Sequence, residues 1–536
     1  MKKLTRSLPV QPHRDAWVEV NLNALEANVA ALRQFVPAQQ RLMAIVKADA
    51  YGHGAVMTLP TLIASGVEMV GVASIDEGVQ IREAGFDIPV LVVGPSPSWA
   101  YAEALEHHIQ LTVFKPEHIL QLNALAEQRG VKAQLQLKVD TGMHRIGAKP
   151  NELPEIYDAL ASAGHVELVG IFSHLACSDD EAYTRGQHDG FQAVLKGMPE
   201  SLRSQCEWVH LSNSTGLMYP FIRGEGDEVG KAEISYTAVR LGIALWGYWD
   251  TPNVSKGDSD VVEDIRKDVS GKYLNLPKVH PVMSLRGRIV HLHEISQNEG
   301  VSYTHSDRRY RTNRQVSPPV LEGDGLVSQV NQCVDGDVVL NSVLSSQNQS
   351  NVQDLDVLSS QSSLSRVSSS SSSQNQLSGD VLSSQINPCS INQKNNINTI
   401  KRMIATCPIG YADGIPRLLS NQLMATLKTP DGQWYDVPQV GNITMDQLMF
   451  DVTQCPNVAV GDTLTFFGYT VEHAASVLET HHSELSVNHA KAVESTAKVA
   501  TLTDWARQVQ SIEYELMCSL RVRLPRTYTR HTAFKV

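Results

Sequence analysis

Hydrophobic positions along the chain switch between two periods. Residues 17–20 alternate as a short strand, and Leu22, Leu25, Val29, Leu32 and Val36 then recur at helical spacing behind the capping candidates Asn21 and Asn23. An apolar run over 42–46 reads as a buried strand and ends in the glycine-rich Tyr51-Gly52-His53-Gly54. Strand-like segments follow at 69–73, 90–93, 109–113, 135–139, 168–172, 208–211 and 238–241, with helical stretches between them. Repeated βα units predict a parallel sheet. About eight of them over roughly 230 residues predict an α/β fold with an N-terminal (β/α)8 TIM-type barrel, here spanning 16–248 behind an extension of residues 1–15.

Past Trp246 the pattern changes. Residues 249–278 are polar, lack a periodic core and read as a linker. Segments 284–293, 403–409, 422–427, 439–452 and 462–467 then alternate like strands, which predicts a β-rich C-terminal domain over 279–536. A helical interlude is expected over 489–509 and a last strand near 513–523. Residues 306–399 interrupt this domain. No aromatic ring of Phe, Trp or Tyr occurs between Tyr310 and Tyr411, Ser368 to Ser373 is an unbroken serine run, and Val-Leu-Ser-Ser-Gln recurs at 343, 357 and 381. The unequal spacing argues against stacked repeats. So little apolar surface cannot offset the entropy of ordering, so a disordered low-complexity insertion is expected.

Composition narrows the function classes. The 536 residues carry 45 Lys+Arg against 57 Asp+Glu, a net charge of −12, which opposes attraction to nucleic acid or an anionic membrane surface. Met1-Lys2-Lys3 imitates the start of a signal peptide, but Arg6, Pro9, Pro12 and Arg14 leave no room for an apolar core, and no run reaches membrane-spanning length. The 7 cysteines form no C-x-x-C pair, so neither a zinc site nor a disulfide framework is suggested. A cytoplasmic protein without a metal, nucleic-acid or membrane partner is the reading.

Three segments carry candidate chemistry. In Ala44-Ile45-Val46-Lys47-Ala48-Asp49-Ala50-Tyr51-Gly52-His53-Gly54 a lysine stands where an apolar strand meets a glycine-rich loop, at the barrel mouth where such folds place their reactions. A desolvated lysine there becomes a nucleophile towards an aldehyde; the plain alternative is a solvated rim residue. Lys138-Val139-Asp140-Thr141-Gly142-Met143-His144-Arg145-Ile146-Gly147 brackets Arg145 with two glycines, as in a loop that holds an anion. Tyr411-Ala412-Asp413-Gly414-Ile415-Pro416-Arg417 reads by itself as a turn.

Together and in this order the three resemble the motifs of the alanine racemase family, whose members join a pyridoxal-phosphate barrel to a C-terminal β domain. The resemblance covers nearly the whole chain except the extreme N-terminus, the linker and the insertion. It implies that Lys47 forms the Schiff base with pyridoxal 5'-phosphate and serves as one acid/base, and that Tyr411 is the opposing one. It implies a homodimer with shared active sites, the tyrosine arriving from the partner subunit. Arg240 matches the arginine at the pyridine nitrogen; Tyr51, Ser214, Gly242 and Ile243 match phosphate contacts. His174, His210 and Asn213 match residues around the cofactor. Arg145 and Met445 match residues that hold the substrate carboxylate, and Lys138 matches a lysine carbamylated in many members. Two departures stand out: Val522 where many members have tyrosine, implying a looser pocket, and Asn442 where a basic residue is common.

The implied function is interconversion of L- and D-alanine by a Lys/Tyr pair, supplying D-alanine for peptidoglycan. Three alternatives remain: a racemase of broader range, a non-catalytic pyridoxal-phosphate carrier, and a decarboxylase. The intact tyrosine motif argues against the carrier. A decarboxylase would need a cysteine opposite the lysine, for which Cys407 is the nearest candidate.

Overall fold

The computed structural model describes residues 14–178, 180–224, 234–249, 276–297, 299–303, 401–468 and 501–530. The insertion 306–399, almost all of the 249–278 linker, the interlude before residue 501 and most of the N-terminal extension lie outside the described residues. Among those described, no helix is long and apolar enough to cross a membrane.

The chain begins with β1 (Ala16–Asn21), whose last residue caps the helix Leu22–Phe35: the Asn21 side chain accepts from the N–H groups of Asn23 and Ala24. The barrel strands follow: β2 (Arg41–Ile45), β3 (Val67–Val72), β4 (Val90–Val92), β5 (Gln110–Val113), β6 (Ala133–Lys138), β7 (Val166–Phe172), β8 (Trp208–His210) and β9 (Ala238–Leu241). They form one eight-stranded sheet in the order β8-β7-β6-β5-β4-β3-β2-β9, with every pair parallel. Two main-chain bonds close the remaining seam, from Thr237 N–H to Val209 O (2.9 Å) and from Arg240 N–H to Ser212 O (3.2 Å). The predicted barrel is present. Its interior is divided: Met43, Ile45 and Met69 fill one side, while Gln110, Gln136, Lys138, His210 and Arg240 meet on the other.

The C-terminal domain is mostly sheet, as predicted. It comprises β10 (Met283–Arg288), β11 (His291–Ser296), β12 (Lys401–Cys407), β13 (Met424–Lys428), β14 (Trp434–Pro438), β15 (Leu448–Asp451), β16 (Thr463–Phe467) and β17 (Arg526–Thr529). A six-stranded sheet in the order β14-β13-β16-β10-β1-β17 accompanies a three-stranded one, β11-β12-β15. Phe450 of β15 and Phe466 of β16 meet at 5.7 Å in the core they share.

Two elements differ from expectation. β1 leads the segment read as barrel, yet it pairs antiparallel with β10 and parallel with β17. Periodicity reports that a strand is half buried and says nothing of its partner, which here lies hundreds of residues away. The strand expected over 513–523 is a helix, Glu513–Ser519, and the last strand comes later as β17. Ile512, Tyr514 and Leu516 alternate with two glutamates, which imitates a strand. The adjacent pair Leu516 and Met517 is buried with Leu520, a helical face, and Glu513 and Glu515 suit the positive end of the helix.

Candidate active site

Lys47 stands just past β2, at the start of an unusual turn. Ala48, Asp49, Ala50 and Tyr51 are all left-handed, with φ of 52°, 53°, 56° and 53°. Each such non-glycine residue costs roughly 1–2 kcal/mol, so the surroundings must hold the turn in place. Glu77 does so from the first turn of the helix Ile75–Glu83, accepting from Ala48 N–H (2.8 Å) and Ala73 N–H (2.7 Å). Asp49 accepts from Ala55 N–H (2.7 Å), Arg526 donates to Gly52 O (3.1 Å) and the Tyr528 hydroxyl donates to His53 O (3.0 Å). Gly52 is required there: its φ is +80°, and a Cβ would stand 2.6 Å from Met517 O. The turn delivers Lys47 and Tyr51 into one cavity of about 190 Å³ at the barrel mouth. Solvent reaches Lys47 through the open mouth. Even so, burial of the amine, followed by the Arg145 charge, lowers its pKa below the usual lysine value, against smaller opposing effects of Cys518 and Glu77.

Across the cavity Arg240 is buried and fully engaged. It donates to His210 Nδ1 (2.6 Å), His174 Nδ1 (2.9 Å), Ser173 O (2.8 Å) and Leu211 O (2.9 Å). Burial lowers Arg240 to about 9, so it keeps its charge at neutral pH. Burial, and then the charge of Arg240, hold both histidines well below the usual range and therefore neutral. His210 lies behind the cavity wall, stacked on Phe172 at 4.8 Å, whereas His174 lines the cavity.

Arg145 is presented by a loop built around Asp140, whose Oδ1 accepts from the N–H groups of Gly142, Met143 and His144, each at 3.0 Å. Beside it Lys138 is buried with no ion-pair partner among the described residues, its ammonium 4.9 Å from the Phe172 ring centre. Burial and the charges of Arg240 and Arg145 pull Lys138 down to about 7, against Asp140. Between pH 7 and the ordinary lysine value of 10.5 the unfolded chain therefore holds a proton that the folded chain has released. Stability should rise with pH across that window, by up to about 1.4 kcal/mol per unit. In CO2-free buffer, where the amine is unmodified, Lys138→Met should remove the rise; equal slopes of denaturant midpoint against pH for variant and wild type would refute it.

The far wall forms a small cradle. Gly242 N–H donates to Ser214 Oγ (3.0 Å), and a Cβ on Gly242 would stand 3.2 Å from the Tyr51 hydroxyl. Asn213 and Ile243 complete this wall. Tyr514, absent from the sequence reading because its helix imitates a strand, also lines the cavity, with its ring 5.6 Å from that of Tyr51. Val93 and Phe172 were missed as well; as barrel residues they carry no sequence mark of the site.

Tyr411 and Met445 are not in this wall. They lie together on the surface of the β domain, 41% and 52% exposed, joined by bonds from Tyr411 N–H to Thr444 O and from Ala412 N–H to Met445 O, both 3.0 Å. Gly410 permits this approach, since a Cβ there would stand 2.3 Å from Thr444 O. Asp413 anchors the loop: buried, it accepts from Arg14 (2.5 and 2.7 Å), Arg523 (2.6 Å) and Gly410 N–H (2.8 Å). Burial alone would raise its pKa, but these bonds hold it below the usual carboxylate value. Val522 is 94% exposed and outside the cavity wall, so the tyrosine that contributes there is Tyr514. Asn442 donates to Tyr303 O (3.0 Å). Cys407 is buried in the β-domain core with its thiol pKa pushed up by burial, away from the cavity wall, so it does not supply the cysteine a decarboxylase would need.

Comparison with known proteins agrees with this arrangement. The family model "Alanine racemase, N-terminal domain" matches residues 20–250, and "Alanine racemase, C-terminal domain" matches residues 393–497. An alanine racemase of Halothermothrix orenii is 27% identical over 96% of this chain and 97% of its own length. The solved alanine racemase of Clostridium difficile superposes with a TM-score of 0.62 at 22% identity, covering 98% of this chain and 97% of that one. A histidine racemase of Leuconostoc mesenteroides shares the fold at a TM-score of 0.62 and 20% identity, covering 97% of this chain and 99% of that one. With both domain families matched in order, and a lysine-bearing barrel mouth beside a tyrosine-bearing β domain, the chain belongs to the alanine racemase family of enzymes.

Proposed function

We propose that the protein is a pyridoxal-phosphate-dependent alanine racemase that works as a homodimer, each site completed by Tyr411 and Met445 of the partner subunit. The observation that carries this is the convergence of Lys47, Tyr51, His174, Ser214, Arg240 and Arg145 on one cavity. The exposed pairing of Tyr411 with Met445 elsewhere on the same chain supports the shared site.

The cavity suits the cofactor. It offers an amine for the aldehyde, a cradle at Gly242 that any side chain would fill, and an arginine charged at neutral pH on the barrel side. When bound, pyridoxal phosphate withdraws electron density from the substrate's Cα and makes its hydrogen acidic. Tyr51, Ser214, Gly242 and Ile243 hold the phosphate by hydroxyl and main-chain N–H groups, with Asn213 alongside. Arg240 keeps its proton at neutral pH, so it would donate to the ring nitrogen without protonating it, which would limit electron withdrawal and favour racemisation over transamination. Arg145 pairs with the substrate carboxylate, and the partner's Met445 offers its N–H to the same group. Inversion needs a proton removed from one face and delivered to the other; Lys47 Nζ serves one face and the partner's Tyr411 hydroxyl the other.

Lys138 takes up CO2: its neutral amine adds to the carbon and releases one proton to solvent. Its lowered pKa leaves much of the amine neutral and nucleophilic near pH 7, and the resulting carbamate anion would lie among the charges of Arg145 and Arg240. D-alanine made in this way supplies peptidoglycan synthesis in a cytoplasm. The decisive experiment incubates the purified protein with pyridoxal phosphate and single L-amino acids in deuterated water, following the α-proton signal and chirality. L-alanine should lose its α-proton and yield D-alanine faster than any other amino acid. Retention of the alanine α-proton would overturn the proposal.

A further inference from the structure

A file of hydrogen bonds runs through the barrel behind the cavity wall. Arg240 Nη1 donates to His210 Nδ1 (2.6 Å), and His210 Nε2 meets Gln136 Oε1 at 2.8 Å. Gln136 Nε2 donates to Gln110 Oε1 (2.8 Å), and Gln110 Nε2 to Gln134 Oε1 (3.2 Å), where Gln134 is exposed. Only one polarity satisfies this file. A guanidinium has donors and no acceptor, so His210 Nδ1 must offer its lone pair and the ring proton must sit on Nε2. That N–H is completely buried and needs an acceptor, which the Gln136 carbonyl provides. If the Gln136 amide turned round, N–H would face N–H; Gln110 prevents this by accepting from its other end.

The surroundings are built for the amide. Gly170 on β7 is not in the left-handed region, yet a Cβ there would stand 3.0 Å from Gln136 Cδ and 2.7 Å from Trp208 O, so its role is to leave room. Barrel interiors are ordinarily filled by branched apolar side chains, and Gln136 and Gln110 occupy such positions with no contact to the cavity. Neither glutamine titrates, so the file can hold the imidazole in place without adding a charge.

We infer that Gln136 is a positioning residue for Arg240: by accepting the Nε2–H of His210 it fixes the imidazole plane, so that the Nδ1 lone pair holds the guanidinium that would face the cofactor's ring nitrogen. The inference rests on the role proposed above for Arg240. Without Gln136 the buried Nε2–H loses its acceptor, the imidazole swings to seek another, and Arg240 loses the hold of His210 Nδ1 while its bonds to Ser173, His174 and Leu211 remain.

The test uses the full-length chain labelled with 15N-histidine, read without cofactor, and the holoenzyme. Wild type should show His210 with a protonated Nε2 and a bare Nδ1. Gln136→Leu should keep the proton on Nε2 but move that N–H resonance to the position of an unbonded imidazole donor and speed its exchange with solvent; Gln110→Leu should do so less, and Gln134→Ala should not. Gly170→Ala, which crowds the Trp208 main chain at 2.7 Å and the Gln136 amide at 3.0 Å and deletes no polar group, should disturb the same His210 resonance and keeps the question answerable if Gln136→Leu fails to fold. In the holoenzyme Gln136→Leu should lower kcat for racemisation by about tenfold with little change in KM, and raise the share of turnovers that end in transamination. His210 resonances identical to wild type in both Gln136→Leu and Gly170→Ala would overturn the inference, as would an unchanged kcat and partition. A wild-type enzyme that fails to racemise alanine would sink the proposed function and leave the tautomer measurement standing.

Discussion

Lys47→Ala should abolish the visible absorbance that the wild-type protein acquires with pyridoxal phosphate and reduce racemisation to background. Two losses coincide in this substitution. The amine that would tether the aldehyde disappears, and so does the proton carrier on one face; removal of a single acid/base alone typically costs about 10²–10⁴ in rate. The fold should survive, because the turn that follows is held by main-chain bonds to Glu77, Asp49 and Arg526 and not by the lysine side chain. Circular dichroism and the denaturant midpoint should therefore match wild type. A Lys47→Ala variant that still acquired the absorbance and racemised alanine at the wild-type rate would remove Lys47 from the chemistry.

Tyr411→Phe separates the two faces. The ring is retained, and the loop is fixed by Asp413 and by main-chain bonds to residues 444 and 445, so both cofactor absorbance and stability should stay close to wild type. Because L- and D-alanine are mirror images their equilibrium constant is unity, so kcat/KM must fall equally in both directions, by about 10²–10⁴. The asymmetry should appear in isotope exchange. One enantiomer should continue to trade its α-proton for solvent deuterium without inverting, through the lysine face, while the other should exchange hardly at all. Comparable, unimpaired exchange for both would exclude the phenol. Mixing Lys47→Ala with Tyr411→Phe adds a check on the shared site: mixed dimers carry both lesions in one site and neither in the other, so activity should return.

Much of the fold could be read from one sequence because the βα units are local, and each barrel strand announces itself by an apolar run between helices. Pairing is not local, which is why β1 was assigned to the barrel. The helix Glu513–Ser519 was lost to a two-residue alternation, and Tyr514 went with it. Lys47, Lys138 and Arg145, marked by unusual chemistry at or past strand ends, were legible by themselves, Arg240 only through the family resemblance, and all four converge on one cavity. Gln136 and Gln110 were not, because a buried glutamine has no sequence signature; its meaning comes from His210 on another strand.

The placement of β1 bears on how the chain is made. On a ribosome the barrel strands emerge early and can close once β9 has appeared. β1 cannot join them. It must wait beside a nearly finished barrel for β10 on one edge and then for β17 on the other, where the Thr527 hydroxyl finally donates to Val18 O across 509 residues. Until β17 emerges, an unsatisfied edge is open to strangers, and a chain broken off before Arg526 would leave that edge exposed for its lifetime.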